Sequence, residues 1–240
     1  MESKNRKNSA VADYFKEIIY GGIDGIVTTF AVVSGAAGAS LSSNEATQLI
    51  FVSVLLFGLA NLFADAASMG LGNFLSVRSE KDLYASKRQA EEGLLVSQPD
   101  TEIAQTISIL VAKGFTAEQA TTIANLYKDN HEYWTDFMMQ HELELSDPRG
   151  ENEVFTGLAT FGSFLVFGSI PLLPFIFPSE LNDRIIFIYS AFGTLCALIA
   201  LGLLKWRVIG TKLAPSLTEV VLVGGTAAVL AYIVGTFFSL

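Results

Sequence analysis

Cysteine is almost absent from this chain of 240 residues, and the other scarcities are as informative. Cys196 is the only cysteine, which excludes a disulfide framework and a thiolate metal cluster. Basic residues are also few, 15 against 24 acidic ones, and the net charge of −9 lacks the basic footprint of a nucleic-acid-binding protein. No HExxH, GxSxG or paired aspartyl-protease pattern is present, so no enzyme is predicted.

Charge is nearly missing from five long apolar stretches. Three of them contain no charged residue and two contain one aspartate each: Ile18–Leu41, Ala46–Val77, Val154–Pro178, Ile185–Leu204 and Val220–Leu240. Each has close to or more than the ~20 apolar residues that a helix needs to cross a bilayer. Ala46–Val77 is too long for the membrane alone, so its helix is predicted to project into water. The predicted fold class is an all-α membrane protein with five transmembrane helices.

The distribution of positive charge predicts the orientation. If the N-terminus is cytoplasmic, fourteen of the 15 Lys and Arg residues lie on the cytoplasmic side and only Arg184 lies opposite. We therefore predict a multi-pass protein with its N-terminus cytoplasmic and its C-terminus on the opposite side. The charges do not distinguish between a bacterial inner membrane and a vacuole-type membrane. The basic head leads into a span too long for a signal peptide, so no cleavage is expected.

The segment between the second and third spans is polar and has the signals of helices. Ser76–Gly93 continues the second span, Pro99 begins a helix that Gly114 ends, Thr116 opens a capping box, and a last helix covers about His131–Leu145. We predict three parts: residues 1–77, an N-terminal tail with transmembrane helices 1–2; residues 78–150, a cytoplasmic helical domain of metal-binding type; and residues 151–240, transmembrane helices 3–5.

Two aspartates, Asp24 and Asp65, stand inside the first two spans, which contain no Lys or Arg. An ionised side chain at that depth costs roughly 2.5 kcal/mol or more, so it usually faces a water-filled path, a partner or an ion. On the second span Asn61, Asp65, Met69 and Asn73 recur every four residues and form a polar stripe. We predict that this stripe and Asp24 line a cation path. The alternative is that the stripe joins helices by hydrogen bonds.

A carboxylate that alternates between a metal and a proton is the simplest device for coupling their movements. Asp24 therefore suggests cation–proton exchange. Gly21 and Gly25 lie on either side of Asp24 and form a small-xxx-small pair. Such a pair allows two helices to approach closely, and we predict that the two helices belong to different subunits.

Met138, Met139 and Glu142 crowd into little more than one turn of the last polar helix. Thioethers favour softer transition ions and carboxylates suit Fe²⁺ and Mn²⁺, so a mixed site would accept ferrous iron. The alternative is that both methionines fill the domain core and Glu142 is solvated. The carboxylates available to complete a site are Glu91, Glu92 and Glu102.

Two runs of residues carry a resemblance to a known family. Residues 20–35 read YGGIDGIVTTFAVVSG, and residues 67–72 read ASMGLG, leading into SVRS at 76–79. They resemble the vacuolar iron transporter family, and the similarity extends over essentially the whole chain. The resemblance implies a homodimer with a path between first spans, export of Fe²⁺ and often Mn²⁺ from the cytosol in exchange for protons, and a cytoplasmic domain that collects metal.

The resemblance also implies roles for particular residues. Asp24 matches the family's first-span carboxylate and Met69 its second-span methionine, whereas Asn73 stands where relatives usually have glutamate. Two further domain glutamates of the family correspond to Leu94 and Gln105 here. The residues that match the cytoplasmic metal site are Glu91, Glu102, Met138, Met139 and Glu142.

The residues predict a membrane protein that binds or moves a cation, and the resemblance implies a transporter that moves Fe²⁺ and Mn²⁺ out of the cytosol in exchange for protons, through a path at a homodimer interface. Its partners would be divalent metal ions, protons, the lipid bilayer and a second copy of the chain, with no nucleic acid and no permanently bound cofactor. The predicted metal ligands in the membrane are Asp24, Asp65 and Met69. The alternative is a non-transporting metal sensor or scaffold with an acidic cytoplasmic domain.

Overall fold

The structure, a computed structural model, describes residues 14–40, 47–176, 183–210 and 212–237. The basic N-terminal head, the predicted ends of the first, third and fifth spans at Leu41, Pro178 and Leu240, and the predicted start of the second at Ala46 lie outside these residues. Within them every regular element is a helix. The elements are α1 (Phe15–Ser40), α2 (Thr47–Ser97), α3 (Pro99–Ala112), α4 (Ala117–Lys128), α5 (His131–His141), α6 (Glu153–Gly168), a 3₁₀ turn (Ile170–Leu172), α7 (Leu173–Ile176), α8 (Asp183–Ile209) and α9 (Leu213–Phe237).

Five segments of the described chain are long and apolar enough to cross a membrane, which confirms the predicted fold class. They involve α1, α2, α6 with the short pieces that follow it, α8 and α9. Many large apolar side chains on these helices are exposed, including Phe57, Phe63, Phe192 and Leu222. Such a surface suits contact with lipid rather than water.

Helix α2 is a single helix of 51 residues. At ~1.5 Å per residue it is about 77 Å long, more than twice the ~30 Å of a hydrocarbon core. Its uncharged stretch ends before Arg78, so the helix leaves the apolar region there. The helix ends at Ser97, four residues beyond the predicted end at Gly93. It stops there because Gln98 is the N-cap of the next helix and Pro99 is its first residue.

The described residues group into two compact units. The spanning unit contains the described residues up to Phe74 and from Glu153, and the inserted unit contains Leu75–Asn152. Two apolar clusters form the core of the spanning unit: one is built around Phe30, Leu62 and Phe164, the other around Ile26 and Leu201.

The third span is interrupted rather than continuous. Helix α6 ends at Gly168, a 3₁₀ turn containing Pro171 follows, and α7 adds only four residues. Proline has no N–H to donate and breaks the helical pattern. The Ser190 hydroxyl donates a hydrogen bond to the carbonyl of Pro171 at 2.7 Å, so the break is tied to α8.

Glycines in the spanning unit allow backbones to touch within one chain. A Cβ atom on Gly25 would lie 2.5 Å from the carbonyl oxygen of Phe164, and one on Gly21 would lie 2.8 Å from that of Thr160. Both neighbours belong to α6 of the same chain. The prediction that these glycines pack between subunits is therefore wrong, because α6 already occupies that face of α1.

The inserted unit is a small helical assembly with its own core. Leu95, Leu110, Trp134, Phe137 and Met138 are buried together in it. The capping box predicted at Thr116 is confirmed, since the Thr116 hydroxyl accepts from the Gln119 N–H and the Gln119 side chain accepts from the Thr116 N–H. The last helix of the unit ends at His141, four residues before the predicted Leu145.

Candidate metal-binding sites

Three carboxylates of the inserted unit come together although they are far apart in sequence. Glu91 lies on α2, Glu102 in the first turn of α3, and Glu142 caps the end of α5. One carboxylate oxygen from each residue lies within 4.8 Å of the others. The N–H of Glu142 donates to the carbonyl of Met138 at 2.8 Å, which fixes the backbone where this third carboxylate leaves the helix.

The two helical carboxylates of this group are buried and incompletely satisfied. Glu91 is 3% exposed and Glu102 is 4% exposed. Oε1 of Glu91 and Oε2 of Glu102 have no hydrogen-bond partner, and none of the described Lys or Arg residues forms a salt bridge with Glu91, Glu102 or Glu142. Buried charged groups are normally paired or bound to a metal. The arrangement therefore needs protons or a cation.

Electrostatics favours protons when no cation is present. Burial, and then the negative charges of Glu142 and Glu102, raise the pKa of Glu91 from 4.5 to about 7. Burial and the charge of Glu142 raise the pKa of Glu102, and burial raises the pKa of Glu142. A divalent cation would replace these protons, because it stabilises the ionised carboxylates that repel one another without it.

The methionines of the predicted site are fully buried, and one of them has a defined partner. The Thr106 hydroxyl contacts the Met138 sulfur at 3.3 Å and also donates to the carbonyl of Glu102 at 2.8 Å. Trp134 Nε1 donates to the same hydroxyl at 2.8 Å. Met138 thus belongs to the core of the unit and to a small hydrogen-bond network, while Met139 is buried beside it in the chain. Sequence patterns did not indicate Thr106.

Other candidate residues of the inserted unit lie apart from the group. Glu92, next to Glu91, is exposed and forms a salt bridge with Arg88. The side chains of Leu94 and Gln105 are also exposed. The three grouped carboxylates are therefore the donors that the structure brings together.

In the spanning unit the two aspartates lie on different helices, α1 and α2. Asp24 and Asp65 are half-buried and close enough for their charges to interact. Asp65 accepts a hydrogen bond at Oδ2 from Asn61 Nδ2 at 2.7 Å. Met69, one turn further along α2, packs against the apolar core. Two carboxylates without a basic partner in the described spans therefore interact across two packed helices.

The two asparagines of the polar stripe on α2 form hydrogen bonds with different partners. Asn73 Nδ2 donates to the hydroxyl of Thr160 on α6 at 2.7 Å, so its amide joins two helices. Near this bond, a Cβ atom on Gly70 would lie 3.0 Å from the carbonyl oxygen of Gly157. The end of the stripe at Asn73 is therefore a helix–helix contact.

One carboxylate that the sequence reasoning missed is Glu17, in the first turn of α1. Its Oε2 atom is buried and has no hydrogen-bond partner. Glu17 precedes Asp24 by seven residues, which places both on the same face of the helix two turns apart. That spacing was a signal available in the sequence.

The fold and these sites define an all-helical membrane protein of five spanning segments that brings carboxylates together both in the spanning unit and in the inserted unit. Comparison with known proteins gives the family. Residues 15–236 match the VIT family, and the chain belongs to it.

Three relatives show how far the similarity extends. The chain is 32% identical to the vacuolar iron transporter of Toxoplasma gondii (strain ATCC 50861 / VEG), over 100% of this chain and 79% of that protein. It is 31% identical to vacuolar iron transporter 1 of Arabidopsis thaliana, over 97% and 89%. It is 32% identical to vacuolar iron transporter 1 of Oryza sativa subsp. japonica, over 90% and 82%. These relatives are named as transporters and not as enzymes, in agreement with the sequence prediction.

Proposed function

We propose that this chain is a transmembrane transporter that moves Fe²⁺, and Mn²⁺, out of the cytosol in exchange for protons. The observation that carries the proposal is the presence of two half-buried carboxylates, Asp24 and Asp65, on two membrane helices that pack together. The described spans supply no Lys or Arg partner for either of them. Carboxylates at membrane depth are costly, and they mark ion or proton pathways in membrane proteins.

The kind of ion follows from the donors. Carboxylates at Asp24 and Asp65 with the thioether of Met69 form a mixed hard and soft set, which suits Fe²⁺ and Mn²⁺ better than Mg²⁺ or Ca²⁺. The names of the relatives, vacuolar iron transporters, agree with iron as a substrate.

Exchange with protons follows from the chemistry of the same groups. When an aspartate in a poorly hydrated site loses its bound metal, it is stabilised by taking up a proton. A metal ion that enters the site displaces that proton. If the two forms face opposite sides of the membrane, metal and protons move in opposite directions. The distribution of Lys and Arg supports a cytoplasmic inserted unit, and hence export from the cytosol.

The inserted unit would collect the metal before transport. Glu91, Glu102 and Glu142 offer converging carboxylate oxygens, two of them buried without a partner. Met139 lies three residues before Glu142 on the same helix and would add thioether character to this site, whereas the Met138 sulfur already contacts the Thr106 hydroxyl. We propose that this group binds the same ions on the cytoplasmic side.

We also propose that two copies of the chain form the path. Asp24 is only half-buried within one chain, and Tyr20, one turn away, is 62% exposed. A half-exposed carboxylate facing lipid would be costly. A second copy packed on this face of α1 would cover it and place two Asp24 side chains along one path.

The test is flux of Fe²⁺ and Mn²⁺ into proteoliposomes, with and without an imposed pH gradient. We expect gradient-dependent flux in the wild type and its loss in Asp24→Asn, with dimer assembly unchanged. Asp82→Asn, at an exposed carboxylate of the inserted unit, is the matched control and should transport normally. Normal transport by Asp24→Asn would contradict the proposed exchange.

A non-transporting metal sensor is the second candidate, because the carboxylate group of the inserted unit lies within that unit alone. A sensor needs these glutamates but not the aspartates in the spans. Metal binding by a folded protein that shows no flux of either ion would favour the sensor.

A further inference from the structure

The two asparagines of the polar stripe on α2 have different hydrogen-bond partners. Asn61 donates to the carboxylate of Asp65 one turn along the same helix, at 2.7 Å. Asn73 donates to the hydroxyl of Thr160 on α6, also at 2.7 Å, and that hydroxyl donates onward to the carbonyl of Thr156 at 3.0 Å. Asn61 therefore binds a carboxylate on its own helix, whereas Asn73 joins α2 to α6.

The hydrogen bond from Asn61 restricts the orientation of the Asp65 carboxylate. A carboxylate on a membrane helix can rotate about its last torsion and present either oxygen. Here Oδ2 is held by the amide, and Asn61 is the only hydrogen-bond partner of Asp65 among the described residues. Hydrogen bonds to an ionised group are among the stronger ones in proteins. The carboxylate is thus kept in one orientation, with Oδ1 as the oxygen left for a cation.

We infer that Asn61 is a positioning residue for metal binding in the membrane: it holds Asp65 so that Oδ1 serves as a ligand to a divalent cation. The inference rests on the proposed transport function. It also limits the path on α2 to the residues from Asn61 to Met69, because the Asn73 amide is engaged with Thr160.

The chain offers a matched pair of variants for the test. Asn61→Leu keeps the number of side-chain heavy atoms and the branch at Cγ and removes the donor, and Asn61→Ala is a second variant without a donor. Asn61→Gln retains an amide four residues before Asp65, a spacing at which Gln and Asp form hydrogen bonds on helices. Asn73→Leu removes the other amide of the stripe and serves as the control.

The measurement is the concentration dependence of Mn²⁺ flux in proteoliposomes. We expect Asn61→Leu and Asn61→Ala to raise the KM for Mn²⁺ about tenfold and to leave kcat within about twofold, since a ground-state ligand is weakened. Asn61→Gln should stay within about threefold of the wild-type KM. Asn73→Leu should lower the melting temperature and leave KM unchanged. An unchanged KM in Asn61→Leu, or equal effects of Asn61→Gln and Asn61→Leu, would overturn the inference.

Failure of the proposed function is distinguishable from failure of this inference. If the wild type shows no flux, transport is refuted, and Mn²⁺ binding is then measured by electron paramagnetic resonance in the full chain carrying Glu91→Gln, Glu102→Gln and Glu142→Gln. Binding that Asn61→Leu removes and Asn61→Gln preserves would support the role of Asn61. Binding that is absent from this background, or unaffected by Asn61→Leu, would overturn it.

Discussion

Metal binding by the inserted unit should release protons, and the carboxylate of Glu91 should supply most of them. Burial and two neighbouring carboxylates raise the pKa of Glu91 to about 7. At pH 6.5 such a group holds about 0.8 of a proton, and at pH 8.0 about 0.1. Binding of Mn²⁺ requires the ionised form, so the proton must leave. We therefore expect proton release that is larger at pH 6.5 than at pH 8.0.

The same pKa makes the metal-free protein sensitive to pH. A glutamate whose pKa is raised from 4.5 to about 7 binds more protons in the folded state than in the unfolded state over that range. Stability must then fall as pH rises from 4.5 to 7, by about 3 kcal/mol for Glu91. Bound metal removes this loss because it compensates the negative charge.

The assay is calorimetric titration of the full chain in detergent with Mn²⁺, in two buffers of different ionisation enthalpy, which counts the protons released. Glu91→Gln removes the titrating group and should lower the release at pH 6.5 by about 0.8 of a proton relative to the wild type. Glu92→Gln is the matched control, because that neighbour is exposed and paired with Arg88. Equal release at both pH values, or an equal loss in Glu92→Gln, would refute the reasoning.

Two further predictions concern packing. Gly25→Leu should abolish the folded, monodisperse peak in detergent chromatography, because a Cβ atom at this position would lie 2.5 Å from the carbonyl oxygen of Phe164. Gly72→Ala is the control and should elute as the wild type does, because the space around Gly72 is open. Thr106→Val should lower the stability of the inserted unit by about 1–3 kcal/mol in denaturant titration, because the buried Trp134 N–H loses its acceptor. Thr121→Val, at an exposed threonine, should change stability by less than about 0.5 kcal/mol, and a loss equal to that of Thr106→Val would contradict the explanation.

Local signals in the sequence predicted the helical elements well. Pro99 begins α3, Gly114 adopts a positive φ of 100° just after its end, and Thr116 forms the predicted capping box. Such signals act within a few residues, so they are readable without the fold. The prediction of the end of α5 was less accurate, at Leu145 rather than His141. The sequence has no strong stop signal before Asp147, and Glu142 at the C-cap still has an αR conformation.

Contacts between distant residues could not be predicted in this way. Nothing in the sequence distinguishes Glu91 from Glu92, yet one helical step of 100° buries the first beside Glu102 and leaves the second exposed beside Arg88. Similarly, Asn61 and Asn73 share a stripe, but only the packing of α2 on α6 gives Asn73 its partner. Periodicity identifies a face of a helix, whereas the neighbour on that face depends on the whole fold.

The glycine contacts of α1 bear on how the protein could change shape. Near its start α1 touches the backbone of α6 through Gly21 and Gly25, and near its end Gly38 approaches the carbonyl oxygen of Tyr232 on α9. Backbone contacts at both ends leave the helix little freedom to slide or rotate, since any shift would force atoms together. Asp24 thus lies on a helix whose backbone is in close contact with α6 and α9. If the proposed exchange requires access to switch from one side of the membrane to the other, we expect the motion to come from helices that contact α1 through side chains, as α8 does where Leu201 meets Gly22.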